Sequence, residues 1–252
     1  MLKTVKDNEV TVLGLDLCNC TPEEGVNILD KAIESGRKTK AMIVNAACVN
    51  ISFESREYRE SVRRFDVRFV DGVGIYIAGK ILRGVSFPNL AGSDFGEDIL
   101  KRCVRKNYRI YFLGAKPGIA EQAMHNLRRK YPKINIVGTH HGYFNSEENN
   151  RVIEDINSSG AEVLIVCFGK PREVIWIDRN FDSLNIKLAI PLGAFFDFQS
   201  GNVVRAPLWI RKIRFEWFYR LVIEPRRLWK RYVVGNMTFI SRVLRYKLNG
   251  RS

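Results

Sequence analysis

The chemistry available to this chain gathers where apolar runs end. In RFVDGVGIY (68–76) a strand-like run meets Asp71, and Gly72 and Gly74 then flank Val73. A carboxylate at the carboxyl end of a strand can act as a general base. Asp-Gly after a strand is equally an ordinary turn, and the local residues leave both readings open. FLGAKPGIA (112–120) and CFGKPREV (167–174) each run from a strand through a glycine, Gly114 or Gly169, into a helix start. Backbone N–H groups at such turns suit an anion, and two of them along one edge suit a ligand that carries phosphate. Glu173 in the second segment reads either as a helix N-terminal acid favoured by the dipole or as a second acid or base.

Other chemistries lack their residues. DGVG holds only the G-x-G of a dinucleotide fingerprint, which argues against a Rossmann-type dehydrogenase. There is no Walker lysine motif, no H-E-x-x-H and no D-x-D pair. The five cysteines and three histidines show no metal-ligand spacing. The expectation is an activity with no metal and no cofactor. Scattered, odd-numbered cysteines, the lack of an apolar signal stretch in MLKTVKDNEV, and apolar runs too short to span a bilayer point to a cytoplasmic protein with reduced thiols.

These residues need a scaffold that sets them side by side. Apolar or β-branched runs at 10–15, 41–45, 67–70, 109–114, 134–138, 163–169 and 186–193 alternate with helix-like segments, among them 21–36, 117–130 and 146–158. Continuous apolar strands alternating with helices predict an α/β fold, a Rossmann-like doubly wound and mostly parallel sheet covered on both faces. In such folds ligands bind beyond the carboxyl ends of the strands. Most of these runs end there in Asn45, Asp71-Gly72, Gly114, Gly138, Gly169 or Gly193.

Charge divides the chain. The net charge is +14, yet residues 201–252 hold 13 Lys and Arg against two Glu, a balance of +11 that leaves +3 for residues 1–200. Three of the four tryptophans, Trp209, Trp217 and Trp229, also lie in this tail. The expected organisation is an α/β domain over 1–200 and a basic, aromatic-rich helical appendage over 201–252. Two helices are predicted there, 210–224 and 225–248, separated at Glu224-Pro225. In the second, Leu228, Trp229, Tyr232, Val233, Met237, Ile240, Val243 and Leu244 recur at steps of three and four among cations. That pattern fits a helix lying in an anionic membrane surface, and it fits equally a helix packed on its own domain.

Taken in order, DGVGI (71–75), AGSDF (91–95), YFLGAKPGIA (111–120), YPKINIVGTHHGYF (131–144), INSSGAEVLIVCFGKP (156–171), PLGAFFDFQSG (191–201) and the tail RAPLWIRKIRFEWFYRLVIEPRRLWKRY (205–232) form a specific set. On them the chain resembles the WecG/TagA/CpsF glycosyltransferase family over roughly residues 10–235. The resemblance implies an inverting, metal-independent transfer from a UDP-sugar to a polyprenyl-diphosphate-linked sugar, in the assembly of exopolysaccharide, capsule or teichoic acid linkage units. It implies Asp71 as the catalytic base, Asn45 near the acceptor, Tyr143 at the uracil and Asp197 at the ribose. It implies Arg220 and Arg227 at the diphosphate, where they offset the charge of the leaving group in place of a metal. It further implies peripheral attachment to the inner face of the cell membrane and self-association into homo-oligomers.

Three positions depart from the family pattern: Ile43 in place of threonine, Asn89 in place of arginine and Glu173 in place of glutamine. Asn89 and Glu173, with Asn45 and Gly72, are the expected substrate contacts; Gly114 and Gly169 complete the nucleotide side. The departures predict a donor or acceptor other than that of the N-acetylmannosamine-transferring branch, or a diverged, inactive member. A basic α/β module on nucleic acid is the rival class. The nearly neutral body and the helical spacing of the tail aromatics argue against it.

Overall fold

The computed structural model describes residues 8–213 and 215–249, the side chains of Lys212 and Arg227 excepted. The first apolar run is not a strand of the main sheet. It breaks at Leu13 and Gly14, both at positive φ (51° and 75°), into an antiparallel hairpin of β1 (Glu9–Val12) and β2 (Leu15–Cys18). Two consecutive left-handed residues make the tight turn whose twist matches a hairpin. α1 (Pro22–Glu34) follows with a capping box: Thr21 accepts from the Glu24 N–H, and the Glu24 carboxylate accepts from the Thr21 N–H.

The remaining runs form one sheet. In chain order come β3 (Thr39–Val44), α2 (Ala46–Glu54), α3 (Arg56–Arg63), β4 (Val67–Val70), α4 (Gly72–Arg83), α5 (Gly92–Lys106), β5 (Ile110–Gly114), α6 (Ile119–Lys130), β6 (Ile136–His140), α7 (Asn149–Ser158), β7 (Val163–Cys167), α8 (Arg172–Asn180), β8 (Leu188–Pro191) and α9 (Phe195–Gln199). The strands lie in the order β4-β3-β8-β7-β5-β6, and every neighbouring pair is parallel. Side chains alternate between two cores, as the pleat requires. Met42 and Val44 face a cluster with Cys48, Tyr58, Ile75 and Trp176. Ala41 and Ile43 face another with Leu29, Phe95, Ala123 and Phe196. The sheet is therefore doubly wound, as expected.

The tail is more broken than its sequence pattern suggests. The segment predicted as one helix over 210–224 spans the end of α10 (Leu208–Lys212) and the whole of α11 (Glu216–Ile223). The predicted break before Pro225 is present, with Glu224 at φ −125° and ψ 58°, outside the α region that a following proline disfavours. α12 (Pro225–Trp229) then passes through a π-helical turn, Lys230–Val234, into α13 (Gly235–Leu248). Phe239 and Val243 of α13 are buried in the first core cluster. Asn50 donates to the Gly235 carbonyl at 2.7 Å, and Arg242 donates to the Asn50 side chain at 2.7 Å. The opposite stripe, Trp229, Val233, Met237 and Leu244, remains exposed. Packing on its own domain thus uses one face of this helix, with Phe239 as a contact that the predicted stripe omitted.

Candidate active site

Asn45 follows β3, Asp71 follows β4, Lys170 follows β7 and Gly193 follows β8. Because the four strands are parallel neighbours, these residues converge at one edge. They form the floor of a cavity of about 210 Å³. Arg211, Glu216, Trp217, Arg220, Arg231 and Tyr232 close it from above, all from the tail.

The glycines around Asp71 have separate tasks. Gly72 lies at φ +86° with nothing beside its missing Cβ, so it makes the turn and leaves open space toward the cavity. Gly74 serves packing instead: a Cβ there would meet Ala46 Cβ at 3.0 Å and the Phe239 ring at 3.4 Å. Gly92, which opens α5, brings backbone against the carboxylate, since its Cβ would stand 3.3 Å from Asp71 Oδ2. Removal from water raises the Asp71 pKa to about 6; the Lys170 ammonium opposes that rise, Glu216 adds to it, and the N–H groups of Gly92 and Gly72 favour the charged form. A carboxylate so poised is ionised near neutral pH and still basic enough to take a proton.

Asn45 lines the cavity and also caps α2, its Oδ1 accepting from the Cys48 N–H at 3.2 Å. Asn89 lines it as well and donates to the Arg211 carbonyl at 3.5 Å. Ile43 contributes an apolar wall, with Cδ1 3.5 Å from the Cβ position of Gly92.

Glu173 is placed differently from the expected substrate contact. It is fully buried and outside the cavity lining, and its Oε2 accepts from the N–H groups of Gly169 (3.0 Å) and Gly193 (3.2 Å). It ties the β7 and β8 loops together. Burial pushes its pKa up, and Lys170 works against that shift. The same bond commits the Gly169 N–H internally, so that group is not a free anion donor.

The residues expected at the nucleotide lie elsewhere along the edge, outside the cavity lining. Gly114, at φ +141°, lets β5 close on β7: a Cβ there would meet the Cys167 carbonyl oxygen at 2.5 Å. Tyr143 is exposed. Asp197, in α9, accepts from Asn202 Nδ2 at 3.3 Å. Arg220 does reach the cavity, its guanidinium 5.3 Å from the centre of the Phe198 ring. Arg227 sits in α12, and its side chain lies outside the described residues.

Sequence reasoning missed Lys170, Glu216, Trp217 and Arg231. A signal existed for one of them: Glu216 is one of only two acids in a segment of charge +11. Among the described residues no cluster of His, Cys, Asp and Glu could hold a metal ion. Among them, too, no helix is long and apolar enough to cross a membrane.

Two curated relatives share the name N-acetylglucosaminyldiphosphoundecaprenol N-acetyl-beta-D-mannosaminyltransferase. The chain is 30% identical to the one from Bacillus subtilis (strain 168), over 75% of this chain and 72% of that protein. It is 27% identical to the one from Bacillus spizizenii, over 83% and 81%. The model of the Glycosyl transferase WecG/TagA/CpsF family matches residues 10–252. A parallel sheet whose edge gathers one raised-pKa aspartate under a cationic roof, together with a match across nearly the whole chain, leads to one assignment: this protein is a glycosyltransferase that belongs to the WecG/TagA/CpsF family.

Proposed function

We propose that this enzyme moves a sugar from a UDP-sugar to a polyprenyl-diphosphate-linked sugar, with inversion and without a metal, in cell-surface polysaccharide synthesis. The observation that carries this reading is Asp71, a single raised-pKa carboxylate facing a cavity with cations opposite it. Inverting displacement needs one base, on the side away from the leaving group, to take the proton of the acceptor hydroxyl. Asp71 fills that role. The departing diphosphate accumulates negative charge, which Arg220 offsets from above and Arg227 would join. Asn45, Asn89 and Gly72 contact the substrates. The nucleotide lies along the β5–β7 edge, by Gly114, Gly169, Tyr143 and Asp197.

Residues 1–200 act as the catalytic body, and 201–252 as the closing appendage. The exposed Trp209, Phe215, Phe218 and Val222, interspersed with cations, would bring that appendage to an anionic membrane surface where the lipid acceptor resides. The apolar wall at Ile43 and the amide at Asn89 suit a donor or acceptor different from that named for the Bacillus relatives. The test is a donor panel read by UDP release with a lipid-diphosphate acceptor. Turnover by wild type and its loss in Asp71→Asn are expected; an Asp71→Asn enzyme that turns over at the wild-type rate would refute the assignment.

A further inference from the structure

α11 carries three polar atoms that are buried and have no hydrogen-bond partner: Glu216 Oε1, Trp217 Nε1 and Arg220 Nε. All three residues line the cavity opposite Asp71. Glu216 and Arg220 stand at i and i+4, the spacing at which Glu and Arg pair on a helix, yet no ion pair joins them. The contact of Glu216 with a cation is a distant one, 3.8 Å to Arg205 Nε. Buried polar atoms without partners are rare and mark a missing partner. Three on one short helix, all bordering one cavity, mark a polar ligand. The set is an anionic acceptor, an N–H donor on a broad apolar ring, and a cation.

That chemistry matches a pyranose joined to a diphosphate. A carboxylate takes charge-assisted hydrogen bonds from sugar hydroxyls, and an indole offers both an apolar face and a donor. Which of the two sugars sits there follows from placement. Gly114, Gly169, Tyr143 and Asp197, on the nucleotide side, are not part of this cavity, whereas Asn45 and Asp71 are. Phe215, Phe218 and Val222 of the same segment are exposed outward, where a lipid tail would run.

We propose that Glu216 and Trp217 form the subsite for the acceptor's own sugar, holding its ring between α11 and Asp71, while Arg220 stays with the departing diphosphate of the donor. The roof then selects which glycosylated lipid is used, in addition to covering the reaction. This rests on the acceptor class of the proposed function, but not on Asp71 acting as the base.

Equilibrium binding to the full chain tests it with three probes: farnesyl diphosphate, farnesyl-diphosphate-linked N-acetylglucosamine, and UDP. The ratio of affinities for the two lipids isolates the sugar from the diphosphate. Wild type should favour the glycosylated lipid by about tenfold or more, the size expected for a hydrogen bond to a charged group. Glu216→Gln and Trp217→Phe, with melting temperatures near wild type, should bring the ratio to about twofold or less and leave UDP binding unchanged. A wild-type ratio near one, an unchanged ratio in both variants, or equal weakening toward both lipids would each overturn the subsite. If Asp71→Asn retains turnover while the ratio still collapses in Glu216→Gln, the base assignment falls and the subsite stands.

Discussion

The floor and the roof of the cavity are built in opposite ways. Floor residues hang from the ends of buried parallel strands, and their polar atoms are largely engaged inside the protein: Asn45 caps α2 and the Asp71 backbone N–H bonds Val44 O at 2.9 Å, while behind the lining Glu173 ties two loops through Oε2, its Oε1 buried without a partner. The roof is short helical pieces with exposed aromatic and aliphatic side chains and three inward polar atoms left unpartnered. The contrast teaches where each kind of specificity can reside. A floor satisfied without substrate is preorganised for chemistry, as electrostatic catalysis requires. A roof that lacks partners gains most when a ligand arrives, so it suits recognition and closure. The roof is not loose throughout, because Phe239 anchors it against Ala46 and Gly74.

The sharpest way to break this contrast is at the floor. Asp71→Asn should lower kcat by about 10²–10⁴-fold, the range for losing a general base, while the melting temperature and UDP affinity stay near wild type. A comparable loss in Kd for UDP would mean that the floor binds rather than reacts.

Undocking the roof should come next. Phe239→Ala removes a fully buried ring, a change worth about 3–5 kcal/mol in a packed core. The expected outcome is faster proteolysis within 201–234 and a fall in turnover. Unchanged cleavage and turnover would show that α13 does not hold the roof.

Glu173→Ala tests whether the floor is self-supporting. It strands two backbone N–H groups and should cost about 1–3 kcal/mol, a melting-point drop of roughly 2–4 °C per kcal/mol for a chain of this size. Substrate Km values should change little once folding is accounted for; a large selective rise in acceptor Km would return Glu173 to the pocket.

The smallest effect is on pH dependence. Asp71 must be ionised to act, and its pKa is raised to about 6, so kcat/KM should fall as pH drops through about 6. The charged neighbours acting on it include Lys170 after β7 and Glu216 on α11; Arg220 on α11, Arg211 on α10 and Arg231 in the π turn also border the cavity. Removing the Glu216 charge in Glu216→Gln should move that limb to lower pH. Lys170→Met should move it higher, because Lys170 holds the Asp71 pKa down. Opposite shifts from the two variants would show floor and roof charges meeting at one carboxylate.

Much of the scaffold was legible because its signals are local. Six of the seven apolar runs are strands of the main sheet, and the three delimited body helices begin within three residues of their predicted starts. The hairpin escaped because Leu13 occupies a left-handed conformation that its side chain disfavours. In the tail, the helical periodicity of the sequence did not mark the π turn or the division into α10 and α11.

For the site, the boundary between the two sources is clear. By itself the sequence determined the parallel α/β architecture, the placing of Asn45, Asp71, Gly169 and Gly193 at strand ends, the concentration of charge in the tail, and the family, because composition, period and ordered motifs are properties of neighbouring residues. Only the tertiary structure decided that Glu173 braces two loops, that Gly74 makes room for Phe239, and that Lys170 and Glu216 bear on Asp71 from opposite sides of a cavity. Those facts depend on residues up to about 165 positions apart in the chain being brought together by the fold. Desolvation and Coulomb interactions act through that spatial proximity, whatever the distance along the chain.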